Sequence, residues 1–199
     1  PAPASASPVT GPFDWAAATA AATAAPPCPA VGLPHTLTRL NLTYTKVTDE
    51  GLAPLSALTA LQHLSLDSGS LGDAALRPVA ALPHLTSLDL FGCRVGEGGA
   101  ALLAGSAALR GGLRSLECCG GGVTDAAAAH LARLAALTCL NLSQNPRLGD
   151  AGVGCLAAHL SELQLLSLNH TCVSAACLPA LAALPRLRCL ALRGTRVGE

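Results

Sequence analysis

The chain has 199 residues with 12 basic and 12 acidic side chains, so its formal net charge is zero and it carries no electrostatic footprint for nucleic acid or an anionic membrane surface. Aromatic residues make up only 2% of the chain, which removes most base-stacking platforms. Nine cysteines without a CxxC pair argue against a zinc motif or a disulfide framework, and their odd number favours reduced thiols in a cytoplasmic or nuclear protein.

Residues 1–36 are rich in Ala, Pro and Ser, and their first dozen positions are expected to be disordered. Within them Asp14 is placed to cap an Ala-rich helix over 14–25, with Phe13 and Trp15 packing across the edge of the segment that begins at Leu37; a flexible linker is the alternative. The start lacks a basic segment followed by a leucine-rich core, so no signal peptide is read there. The uncharged stretch from Trp15 to Thr38 is Ala-dominated and interrupted by Pro, which speaks against a membrane span.

From Leu37 the chain repeats itself. The spacing LxxLxL at Leu37, Leu40 and Leu42 recurs from Leu61, Leu85, Leu113, Leu137, Leu163 and Leu187, in steps of 24, 24, 28, 24, 26 and 24 residues. A fixed period of this length is the signature of a solenoid. Six full repeats and one truncated repeat fill 37–199.

Side chains alternate along a strand, so Leu40 and Leu42 point one way and Asn41 and Thr43 the other. Stacking then makes one buried column of Leu40, Leu64, Leu88, Leu116, Leu140, Leu166 and Leu190. A second column runs through Leu42, Leu66, Leu90, Cys118, Leu142, Leu168 and Leu192. Each side chain contributes roughly 1.5–3 kcal/mol when fully buried.

After each strand comes a second signature, V-T-D-E-G-L at Val47 to Leu52, echoed by Val123, Thr124 and Asp125, by Leu148, Gly149 and Asp150, and by Val173 and Ser174; in most copies a small residue is followed by an acid. This reads as a helix start, with the small residue as cap and the carboxylate at the positive end of the helix dipole. Leucines spaced by three, such as Leu52, Leu55 and Leu58, give each helix a face for the strand leucines. The four extra residues of the third repeat, around Ala104 to Gly112, and the extra Pro146 of the fifth are expected to lengthen loops.

The pattern LxxLxLxxTxVTDxGLxxLxxL resembles the leucine-rich-repeat family over 37–199. Within the family it is similar to the cysteine-containing repeats of F-box/leucine-rich-repeat proteins, although the ninth position is Cys only at Cys93 among Thr45, Gly69, Cys93, Gly121, Asn145, Thr171 and Thr195. The resemblance implies an α/β leucine-rich-repeat solenoid, a right-handed superhelix with parallel strands on the concave face and helices on the convex face. It also implies a protein partner on the concave face. The subclass adds substrate recognition in an F-box-type ubiquitin ligase, with cullin-based components reached through regions outside this sequence. An intracellular scaffold unrelated to ubiquitin and a receptor ectodomain are the competing roles.

The outward strand positions form a grid. Its middle column is Asn41, Ser65, Asp89, Glu117, Asn141, Ser167 and Ala191; the next is Thr43, Asp67, Phe91, Cys119, Ser143, Asn169 and Arg193. Asp67, Asp89 and Glu117 cluster around Phe91, a surface suited to a basic, partly apolar segment. Asn141 extends it, and Tyr44 and His170 in the edge column are further anchors.

Acid and base groups do not converge on a pocket pattern, and Gly96 to Gly99 lack the GKS/T of a phosphate loop, so no enzyme and no cofactor are expected. The N-x-S/T sequons at Asn41, Asn141 and Asn169 follow from the repeat itself. Glu199 stands in the seventh repeat where Asp49 stands in the first, which leads us to expect a piece of a longer protein.

Overall fold

A computed structural model describes residues 35–67, 70–120 and 122–198. The expected helix over 14–25 and the position of Glu199 lie outside the described residues, as do Ser68, Gly69 and Gly121. One compact unit spans Leu33–Glu199.

Each LxxLxL segment forms a three-residue strand: β1 Arg39–Asn41, β2 His63–Ser65, β3 Ser87–Asp89, β4 Ser115–Glu117, β5 Cys139–Asn141, β6 Leu165–Ser167 and β7 Cys189–Ala191. They make one parallel sheet in chain order. The register joins equivalent positions throughout, so Leu40, Leu64, Leu88, Leu116, Leu140, Leu166 and Leu190 are successive partners, as the spacing requires. Members of this column in the inner strands are buried, whereas Leu190 in edge strand β7 is 36% exposed.

The chain returns between strands through short helical segments: a 3₁₀ turn at Glu50–Ala57, a 3₁₀ turn at Asp73–Ala75 leading into α1 Leu76–Ala80, α2 Glu97–Gly105 with α3 Ala107–Gly112, α4 Asp125–Leu131, α5 Asp150–His159, and a 3₁₀ turn at Ala175–Cys177 leading into α6 Leu178–Ala182. The first return is 3₁₀ rather than α, and Pro54 within it cannot donate an N–H to an α-helical ladder. Helices α2, α4 and α5 stack on one another behind the sheet. Leucines from both layers, together with Val79, Val123 and Val153, form one continuous core.

The insertion in repeat three differs from the expected loop. It folds as α3, capped by Ser106 Oγ accepting from the Leu109 N–H at 3.4 Å, and it buries Leu109. Ala and Leu after a Ser cap favour a helical turn, and the buried leucine anchors it. The extra residue of repeat five stays in a turn that closes through the Leu148 N–H donating to the Asn145 carbonyl at 3.0 Å.

The recurring acids do more than favour helix starts. Asp49 Oδ1 accepts from the Gly72 N–H at 3.0 Å, Asp73 Oδ1 from Gly96 at 2.7 Å, Asp125 Oδ1 from Gly149 at 2.7 Å and Asp150 Oδ1 from Ser174 at 2.7 Å. Each carboxylate therefore holds the first turn of the next repeat, satisfying an N–H outside any helix ladder. Close approach is needed for this. A Cβ on Gly152 would lie 2.6 Å from Asp125 Oδ1, and one on Gly99 would lie 2.5 Å from Asp73 Oδ1, which explains glycine at both places. The expected small-residue caps are present where a hydroxyl exists: Thr124 accepts from Ala127 and Ser174 from Ala176.

Candidate functional site

The outward strand positions face away from the helices, on the concave side of the solenoid. The middle column has its own local chemistry. Asn41 Oδ1 accepts from the Thr43 N–H at 2.7 Å, Asp89 Oδ1 from Phe91 at 3.0 Å and Asn141 Oδ1 from Ser143 at 3.2 Å. All three make the same side-chain turn at the end of a strand. Two are neutral amides, so the turn does not require the negative charge of Asp89.

Glu117 is the register partner of Asp89. Burial pushes both carboxyls above the ordinary range, and the charge of Asp67 raises each further; for Glu117 the charge of Asp89 is the larger electrostatic cause. Close acid–base contacts among the described residues are His130 Nε2–Glu97 Oε1 at 3.7 Å and the Arg186–Glu162 ion pair, both away from this cluster. Asp67, Asp89 and Glu117 thus share a partly desolvated surface without an ion-pair partner among the described residues. Phe91, two residues beyond Asp89, is 39% exposed beside them.

Raised carboxyl pKa values mean that folding favours the protonated forms. The stability they contribute is present below the ordinary carboxylate range and is lost as pH rises through the raised values, so at neutral pH the charges are a net cost. Glu117→Gln is therefore expected to stabilise the fold at pH 7 by about 0.5 kcal/mol, a small figure because solvent screens a half-buried group. Urea unfolding of both proteins near pH 7 and near pH 4 checks this: the gain should vanish at the lower pH, and a loss of stability at pH 7 would contradict it.

The other expected site residues are placed differently. Asn141 adjoins Glu117 in register and hydrogen-bonds its carboxylate, while its Oδ1 accepts from Ser143 Oγ at 2.7 Å, which continues to Ser167 Oγ at 2.8 Å, so it links the acids to a polar network. Tyr44 is 90% exposed and His170 is exposed, and both occupy left-handed backbone, with φ of 57° and 56°. Gly92, Gly120 and Gly194 have positive φ at the same repeat position, so this column is set by the turn. Tyr44, in repeat one, adjoins Asp67, its backbone N–H donating to the Asp67 carbonyl at 3.1 Å, whereas His170 stands in repeat six, its backbone N–H donating to the Arg193 carbonyl at 2.8 Å.

Cys119, an outward position by strand alternation, is only 2% exposed. Its Sγ donates to Glu117 Oε1 at 3.6 Å, and burial with the Glu117 charge pushes the thiol up to about 12, so it stays protonated and unreactive at neutral pH. Cys118 packs in the leucine core on the other side of the sheet.

A further outward column was missed by sequence reasoning: Arg39, His63, Ser87, Ser115, Cys139, Leu165 and Cys189, at the first position of each strand. Strand alternation alone implied it. Leu165 in this column is 44% exposed, and His63 Nδ1 is buried without a hydrogen-bond partner. Burial and the neighbouring Arg39 hold the His63 ring below its ordinary pKa. Among the described residues, no group of His, Cys, Asp and Glu is arranged to hold a metal ion, and no helix is long and apolar enough to cross a membrane.

Comparison with known proteins agrees with this architecture. A family described as Leucine Rich repeat matches residues 34–56, 81–104 and 136–157. No curated protein matches the sequence. Among solved structures, internalin C2 of Listeria monocytogenes is similar at 26% identity and a TM-score of 0.65, over 81% of this chain and 64% of the internalin chain. An internalin F from the same organism matches at 23% identity and a TM-score of 0.49, over 81% of this chain and 56% of its own. The chain thus spans less than two thirds of the length of either. Leucine-rich-repeat proteins generally mediate protein–protein interaction, and the repeat pattern and fold of this chain are those of a leucine-rich-repeat solenoid.

Proposed function

We propose that the chain is a non-enzymatic protein-interaction module that holds a partner on the concave sheet face, centred on Asp67, Asp89, Phe91 and Glu117 and bordered by Asn141. Tyr44 and His170 are outlying contacts at the turn edge. One observation carries this reading: the stacked repeat accounts for the leucines, the helix-start acids and the turn glycines, while the carboxylates of Asp89 and Glu117 are held without an ion-pair partner among the described residues, where the fold needs no charge. Charged groups kept at a cost in stability mark surfaces that act on something else.

The test is charge reversal. Asp89→Arg combined with Glu117→Arg is expected to leave the circular dichroism spectrum unchanged and to weaken capture of the protein partner by at least tenfold. Unchanged capture by a folded double variant removes this surface.

The subclass resemblance supports a more specific role as substrate-recognition part of an F-box-type ubiquitin ligase. Its one matching ninth-position cysteine, Cys93, donates Sγ–H to the Leu66 carbonyl at 3.0 Å, a stacking role compatible with that subclass. Co-purification of cullin components with the intact protein supports the adaptor, and their absence leaves an intracellular scaffold. A cytoplasmic or nuclear location is supported by the odd, scattered cysteines, which suit a reducing compartment.

A further inference from the structure

The concave face is polarised along the solenoid. Arg39 and His63 stand on β1 and β2, Asp67 follows the end of β2, Asp89 and Glu117 lie on β3 and β4, and the first outward positions of β5 to β7 are Cys139, Leu165 and Cys189. Leu165 is the most open of the exposed large aliphatic side chains, at 44% against 38% for Leu178 and 36% for Leu190. An open strand position in the interior of a sheet has no packing reason to be leucine, since Ser115 and Ser87 fill it two and three strands earlier. A negative centre and an apolar seat on one open sheet face call for a ligand carrying both complements.

We propose that this face binds an extended protein segment in which an arginine sits between Asp89 and Glu117 and a large apolar side chain, three to four residues further on, packs on Leu165 and Cys139. This rests on the concave-face reading above and specifies its partner. The geometry sets both features. Asp89 and Glu117 are register partners on adjacent strands, so their attachment points are about 4.8 Å apart, a span that the planar guanidinium fork bridges better than an ammonium point charge. Phe91 beside them offers an aromatic surface on which a guanidinium stacks.

From β4 to β6 is two strand spacings, and the step from the middle to the first outward position is two residues. Together they give roughly 12 Å, or three to four residues of extended chain. The apolar seat at Leu165 lies on β6, on the side of the acids away from Arg39 on β1, which sets the direction of the segment.

Panning a random-peptide phage library on the 199-residue chain tests this. The expected winners carry Arg followed three to four positions later by Leu, Ile, Met or an aromatic residue. Asp89→Asn with Glu117→Gln, which keeps the turn chemistry seen at Asn41 and Asn141, should weaken them at least tenfold, and Leu165→Ser should do the same. Winners without this pairing, or winners indifferent to those neutral variants yet blocked by Ser87→Trp on the same face, overturn the proposed partner while leaving the concave-face reading standing. Winners that tolerate Ser87→Trp as well, or a library that yields no binder, overturn both.

Discussion

Asn145→Ala is expected to destabilise the solenoid by about 2–4 kcal/mol, although the residue is neutral and lies in a turn. Asn145 is wholly inaccessible to solvent. Its Nδ2 group lies within hydrogen-bond distance of the carbonyls of Cys118 at 2.8 Å, Leu142 at 2.9 Å and Ser143 at 3.2 Å, and its Oδ1 accepts from the Val123 N–H at 2.9 Å. Cys118 and Val123 belong to the preceding repeat, so one amide ties two repeats together. Alanine would leave buried backbone donors and acceptors without this partner, and each such group costs about 1–3 kcal/mol. Water entering the vacated space would recover part of that loss, which keeps the expectation below the simple sum. Urea unfolding followed by circular dichroism measures it; a change under about 0.5 kcal/mol would show that the amide is dispensable.

Leu116→Ala is expected to cost about 2–5 kcal/mol, and Leu190→Ala much less, roughly 1 kcal/mol. The two leucines hold the same place in their repeats and differ in surroundings: Leu116 lies in a central strand at 1% exposure, flanked in register by Leu88 and Leu140, while Leu190 lies in edge strand β7. A deletion at 116 leaves a cavity bounded on both sides by neighbouring repeats. The same deletion at 190 removes a side chain already open to water. Matched unfolding curves decide the point, and equal losses at both positions would contradict a core built by stacking.

Much of this fold was legible because a period-2 strand pattern repeated every two dozen residues leaves one way to bury the leucines. The columns through Leu40 and Leu42, the chain-order parallel sheet and the helical return of each repeat all follow from that constraint. The features that stayed concealed depend on contacts between repeats. Asp125 reads as a helix-start acid, yet its carboxylate reaches the Gly149 N–H one repeat later, a distance that no local pattern encodes. The insertion ending in α3 reads as loop because its composition is small and Gly-rich; Ser106 as cap and Leu109 as anchor make it a turn of helix. Cys119 alternates correctly to the outward side and is nevertheless covered, because alternation gives direction and not depth.

The candidate site was legible in part for the same reason. Asp67, Asp89, Phe91 and Glu117 could be placed on one face by counting, and they adjoin in the fold. Counting could not show that Asn141 is already engaged with Ser143, that Tyr44 and His170 owe their positions to a left-handed turn, or that Leu165 stands open on β6.

Partner binding is expected to reside in the non-repeating concave surface. Calorimetric titration of one captured partner into three proteins tests this most directly: the parent chain, the Asp89→Arg, Glu117→Arg double variant, and a convex control, Ala129→Arg, at an exposed position of α4. We expect the concave variant to lose at least tenfold in affinity and the convex control to match the parent. Loss confined to the convex control, with the concave variant unchanged, would contradict a concave binding surface.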